Sequence, residues 1–120
     1  MTNHVITIKS FNTQEKTFAV TSSIEVDTGD TVQIYVDNDG TWPFGDGSQT
    51  CTLTFNASSA DVDPFNDENM GSTSVQVTNG GTTDVGTVVQ SVTVLVTDTY
   101  DIAIGDYSVD PTILVDIDPD

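Results

Sequence analysis

The side chains best suited to covalent or redox chemistry are scarce in this chain. It holds one histidine, His4, and one cysteine, Cys51. A Ser-His-Asp hydrolase needs a histidine held by an acid and set beside the serine. His4 is the sole candidate base, and it lies near the start of the first apolar alternation, where it reads as an ordinary strand or terminus residue. Cys51 opens the run Cys51-Thr52-Leu53-Thr54-Phe55, whose strict alternation puts the thiol on one face with Leu53 and Phe55. That face is the core, so Cys51 reads as a structural thiol. A blue-copper centre needs two histidines and a cysteine, which the count excludes within one chain, and the same scarcity argues against a Cys/His zinc site. Nucleophile-elbow, phosphate-loop and dinucleotide fingerprints are missing from the sequence. Enzyme chemistry would have to rest on carboxylates alone, as in glycosidases. With nineteen acidic residues, some pair falls close by chance, so the expectation is a non-catalytic protein with no catalytic residue and no bound organic cofactor.

Carboxylates do suit calcium, which takes six to eight oxygen ligands from flexible loops. Asp61, Asp63, Asp67 and Glu68 are the candidate metal ligands, and a solvated acidic loop is the plainer reading of the same residues. Asp37-Asn38-Asp39-Gly40 resembles the start of an EF-hand loop, but it follows a strand, Pro43 interrupts it, and the closing Glu is missing. Trp42 and Phe44, with Pro43 between them, form the one cluster of large aromatics outside the strand pattern. Exposed, they would stack on a sugar or anchor a partner. Folded back, they would plug one end of the fold, and burial would stabilise it by several kcal/mol.

The charge balance narrows the partners. Two lysines, Lys9 and Lys16, stand against nineteen acids, for a net charge of −17. Nucleic acid and anionic lipid both need Lys and Arg for phosphate contacts, so neither is an expected partner. Self-repulsion of this size opposes compaction and weakens as salt screens it. Met1 to Val5 lacks the basic-then-apolar pattern of a signal peptide, and no apolar run nears the ~18 residues of a membrane span. A cytoplasmic location is the expectation. The lone cysteine agrees with a reducing compartment.

The elements that must carry these residues are strands. Val, Ile and Thr dominate the apolar positions, and β-branched residues favour strands. The period is close to two along most of the chain. Ile6 and Ile8, Phe18 and Val20, Ile24 and Val26, then Val32, Ile34 and Val36 each mark one face. Cys51 to Phe55, Val75 and Val77, Val88 to Val96, Tyr100 to Ile104 and Ile113 to Ile117 follow. Asp27-Thr28-Gly29-Asp30, Asn79-Gly80-Gly81 and Gly105-Asp106 carry turn chemistry. Asn56 to Ser72 reads as a long loop. Val88 to Val96 reads as a strand covered on both faces.

Eight or nine short strands with turns between them imply an all-β, antiparallel β-sandwich, with residues 1–120 as one domain. Ile24 to Val32, a strand, a Gly-Asp turn and a strand, resembles a segment of cupredoxin-like sandwiches. Tyr100 to Ile104 with Asp110 to Asp116 is similar to the final hairpin of that architecture. The resemblance implies an immunoglobulin-like or cupredoxin-like sandwich without the copper ligands. The pairs Asp63-Pro64, Asp110-Pro111 and Asp118-Pro119 also make the chain resemble the DP-EP family, small bacterial proteins of unknown function, although no Glu-Pro pair occurs. That resemblance supplies no site residue. The functional expectation is a small acidic sandwich that binds a protein partner, self-associates or takes a place in an assembly. The alternative is a calcium- or salt-dependent binding module, with carbohydrate as one ligand class.

Overall fold

A computed structural model of the chain describes residues 2–20, 24–55, 65, 71–89, 96–110 and 112–115. Every regular element among them is a β-strand. In chain order these are β1 (Asn3–Asn12), β2 (Thr17–Val20), β3 (Ile24–Val26), β4 (Thr31–Val36), β5 (Gln49–Phe55) and β6 (Gly71–Val77). Then come β7 (Thr82–Thr87), β8 (Val96–Thr99), β9 (Asp101–Ile104), β10 (Tyr107–Val109) and β11 (Thr112–Val115). Two four-stranded, mostly antiparallel sheets pack together as a β-sandwich, in the orders β2-β1-β4-β7 and β10-β9-β5-β6. A three-stranded ladder, β3-β11-β8, completes the pairing. Two pairs depart from the antiparallel expectation: β1 runs parallel to β4, and β3 parallel to β11. A hairpin joins only antiparallel neighbours, so both parallel pairs join strands distant in sequence.

The period-two pattern does the work expected of it. Along β4 the residues Val32, Ile34 and Val36 are buried while Thr31, Gln33 and Tyr35 are half-buried on the opposite face. Ile6 and Ile8 of β1 join them, and Cys51, Leu53, Phe55, Val77, Ile102 and Ile104 come from the facing sheet into one continuous core. The sheets also meet at their edges. The Thr83 hydroxyl donates to the Gln76 carbonyl between β7 and β6, and the Ser108 N–H donates to the Lys16 carbonyl between β10 and the turn before β2. Each contact occupies part of an edge that would otherwise offer unpaired backbone.

Two glycines are dictated by geometry. Gly29 has φ of 92° in the turn between β3 and β4, where the Asp30 N–H bonds the Asp27 carbonyl at 3.0 Å. Gly105, with φ of 59°, lies in the two-residue loop that pairs Ile104 with Tyr107, and a Cβ there would stand 3.0 Å from the Phe44 ring. A side chain at either position is strained by that φ.

The structure also differs from the sequence reading in where several strands begin and end. β7 forms over Thr82–Thr87, where a single Val and a Gly leave no apolar alternation to read. β6 begins at Gly71, inside the stretch read as loop, because its polar residues pair with the second half of β5 up to Phe55. Val88 and Val89 lie outside any strand, although the run from Val88 to Val96 reads as one. Val88 is buried, but its backbone bonds the β3–β4 turn, N–H to the Asp30 carbonyl and carbonyl to the Gly29 N–H. Residues 90–95 of that run lie outside the described residues.

Candidate functional site

The outer face of β1, β4 and β7 carries a shallow depression of about 190 Å³, lined by Asn3, Thr31, Gln33, Asp84 and Thr87 among others. Strand register puts these residues together. Asn3 pairs with Thr31, and Thr31 with Thr87; Val5 pairs with Gln33, and Gln33 with Asp84. Because alternate residues share a face, the inward Val32 and Ile34 commit Thr31, Gln33 and Tyr35 to the outside. A bulge in β7 sets the last member. Gly86 pairs with Val32 and Asp84 with Gln33, so Val85 is the extra residue, and the shift brings Asp84 level with Gln33. Beneath the bulge, a Cβ on Gly86 would meet the Phe65 ring at 3.5 Å.

The polar side chains form a directed chain of hydrogen bonds. The Thr31 hydroxyl donates to Asn3 Oδ1 at 2.8 Å, Asn3 Nδ2 to Gln33 Oε1 at 3.0 Å, and Gln33 Nε2 to Asp84 Oδ1 at 2.7 Å. Three strands contribute, and the chain ends on the one carboxylate of the depression. Carboxamides whose orientation is set at both ends lose the freedom of ordinary surface residues, and successive bonds polarise one another. Val5, 39% exposed, adds an apolar patch beside Gln33.

No family model matches the chain, and no curated protein matches it. Among solved structures it is similar to the N-terminal domain of phage TP901-1 ORF48, at 11% identity and a TM-score of 0.40, over 98% of this chain and 99% of that one. A likeness at that level carries no argument about what this chain does.

The residues singled out in the sequence fall elsewhere. Asp61, Asp63, Asp67 and Glu68 lie outside the described residues. Among the described residues, no three His, Cys, Asp or Glu side chains are grouped to hold a metal ion. Asp39, from the stretch resembling an EF-hand start, is committed to the backbone. It accepts from the Ser10 N–H at 2.8 Å, the Thr41 N–H at 3.0 Å and the Thr41 hydroxyl at 2.6 Å, and Thr41 Oγ1 in turn accepts from the Phe11 N–H at 2.9 Å. The Thr41 hydroxyl, then the two N–H groups, hold the Asp39 carboxyl below the usual carboxylate range. These bonds secure the irregular stretch of β1, where Ser10 has φ of 55°.

Trp42 and Phe44 are half-buried and packed on the core. Their rings meet edge to face at 4.9 Å, and Phe11 lies 5.5 Å from Trp42 and 5.9 Å from Phe44. Tyr107 stands 5.4 Å from Phe44, and Trp42 Nε1 donates to the Gly45 carbonyl at 3.0 Å. The loop is folded back onto the sandwich, with these rings tied to β1 and β10.

Cys51 is fully buried, and burial pushes its thiol up to about 12. His4 is a strand residue, as read, but it has a partner the sequence did not disclose. Its Nε2 lies 2.8 Å from Oδ2 of Asp30, which is 4% exposed. Asp30 also accepts the N–H groups of Thr2 at 2.8 Å and Asp27 at 3.0 Å. Burial opposes its ionisation, but the His4 bond and the two N–H groups outweigh it and hold the carboxyl below its ordinary value. A pair of acids was equally hidden. Asp101 begins β9, and Asp110 follows β10 one step beyond the Val109–Ile102 pair. Burial, then a hydrogen bond and repulsion from Asp110, raise the Asp101 carboxyl above its ordinary value. The depression itself was not foreseen: Asn3, Thr31, Gln33 and Asp84 carry no motif, and only the alternation of Val32 with Gln33 hinted that they face outward.

Proposed function

We propose that this acidic β-sandwich is a non-catalytic binding module that docks a partner, or takes its place in an assembly, through the outer face of β1, β4 and β7. The observation that carries the reading is the chain from Thr31 to Asp84, a set of exposed and half-buried polar groups held in fixed orientation on strands rather than on loops. Binding groups placed on rigid elements are presented with little ordering cost. The side chains best suited to catalysis are meanwhile engaged in the fold, His4 with Asp30 and Cys51 within the core.

The test is to incubate the pure protein with broad hydrolase and redox substrate panels, alongside Asp84→Asn and Asp101→Asn. The expected result is no turnover by any of the three. Turnover abolished by one of these carboxylate-to-amide changes would replace the reading with a carboxylate enzyme.

A further inference from the structure

We infer that the depression takes a basic segment of a partner protein, with an arginine side chain seated against Asp84. This rests on the binding-module reading and names the chemistry of the partner.

The first argument is charge. Against a net charge of −17, a cationic segment is drawn in at long range, and an anionic one is turned away. The depression concentrates that preference, because Asp84, at the end of the hydrogen-bond chain, is the one acidic residue that lines it. The chain's own cations do not cancel it. Lys9 is six residues from Asn3 along β1, about 20 Å at strand spacing, which exceeds the ~8–10 Å screening length near physiological salt. Lys16 is placed 3.5 Å from Asp106 and over the Tyr107 ring.

The second argument is hydrogen-bond geometry. Each bond of the chain is donated toward Asp84, and it reaches Oδ1 of an exposed carboxylate. What the carboxylate offers a ligand is its remaining acceptor capacity, with the carbonyl oxygens of Gln33 and Asn3 behind it. A guanidinium carries several donors in a planar fork that matches adjacent oxygens, whereas an ammonium is a point charge. The third argument is the apolar margin. Val5 stands beside Gln33, and Tyr35 lies two residues along β4 on the same face. An arginine's methylene stem suits the first and its flat head suits the second. At about 190 Å³, the depression is smaller than the roughly 300–1,000 Å³ of drug-sized pockets. One side chain matches it better than a folded surface does, so the remainder of the segment would lie across the sheet.

The experiment titrates the full chain with an arginine-bearing Gly-Ser peptide, following backbone amide shifts at low and at physiological salt. The same titration is run on Asp84→Asn, which keeps an acceptor for Gln33 but loses the charge. Asp46→Asn, an exposed acid in the loop between β4 and β5, makes the same change in net charge. The expected result is shifts centred on Gln33, Asp84 and Gly86, with affinity falling as salt rises. Asp84→Asn should weaken binding about tenfold, and Asp46→Asn less than about twofold. Equal losses in both variants would mean diffuse attraction and would overturn the proposal. So would shifts at the depression with a neutral monosaccharide but none with the peptide. An absent peptide site without turnover on the substrate panels removes this inference alone, whereas turnover removes the binding-module reading as well.

Discussion

The His4 imidazole and the Asp30 carboxylate, 26 residues apart, meet at 2.8 Å, and this contact ties the start of β1 to the turn that launches β4. Asp30 is the one buried charged side chain among the described residues. Asp30→Ala leaves the His4 ring without its partner and two N–H groups without their acceptor. The expected loss of stability is about 2–4 kcal/mol. His4→Phe leaves Asp30 its two backbone donors and should cost roughly 1–2 kcal/mol. Because the Asp30 carboxyl lies below its ordinary value in the fold, its contribution is complete above the unfolded value and is lost as pH falls through the folded one. Urea denaturation of both variants, repeated between neutral and acid pH, measures this. The difference between wild type and Asp30→Ala should shrink as the medium is acidified.

Asp101 has the opposite sign. Its carboxyl is raised above the unfolded value, so the protonated form favours the fold. That contribution is present below the unfolded value and is lost as pH rises through the folded one. At neutral pH, Asp101→Asn should therefore stabilise the protein, by roughly 0.2–1 kcal/mol on the scale of charge pairs set opposite on neighbouring strands. Thermal melts of wild type and variant across the carboxylate range check it. The advantage should vanish at low pH, where the wild-type pair already holds its proton.

Cys51 should behave as a buried apolar group. With no exposed surface and a thiol raised to about 12 by burial, it forms almost no thiolate at neutral pH. A thiol reagent should modify the native protein slowly, and quickly only after denaturation. Cys51→Ala should cost about 1 kcal/mol through a small cavity between β5 and the facing sheet. Rapid and complete modification of the folded protein would contradict its placement.

Salt should stabilise this fold. A charge of −17 on 120 residues is repulsive overall, and added salt shortens the reach of that repulsion. Screening removes little in return, since the exposed Lys16–Asp106 ion pair contributes little to begin with and the His4–Asp30 contact is largely shielded from solvent. The melting temperature should rise from ~10 mM to ~1 M sodium chloride, by more than it does for a variant with several surface Asp→Asn changes.

The fold class, much of the core and the main turns were legible in the sequence, although Phe11 and Tyr107 of the core were not. Alternation marks an inner face wherever both sides of a strand differ, so Val32, Ile34, Cys51, Leu53, Ile102 and Ile104 were all identifiable as core. Gly29 and Gly105 marked turns because a positive φ excludes most other residues there. Which strands are neighbours was settled only by the folded sheet. A period of two names a face but not the strand beside it, so Gln33 and Asp84, 51 residues apart, share a row only because β4 pairs with a bulged β7. That strand was invisible because it is held by its backbone pairing to β4 and carries little apolar alternation of its own. The partners of His4 and Asp101 were hidden for the same reason. Their chemistry depends on which backbone lies opposite, and long-range pairing is settled by the whole sheet at once rather than by any segment of it.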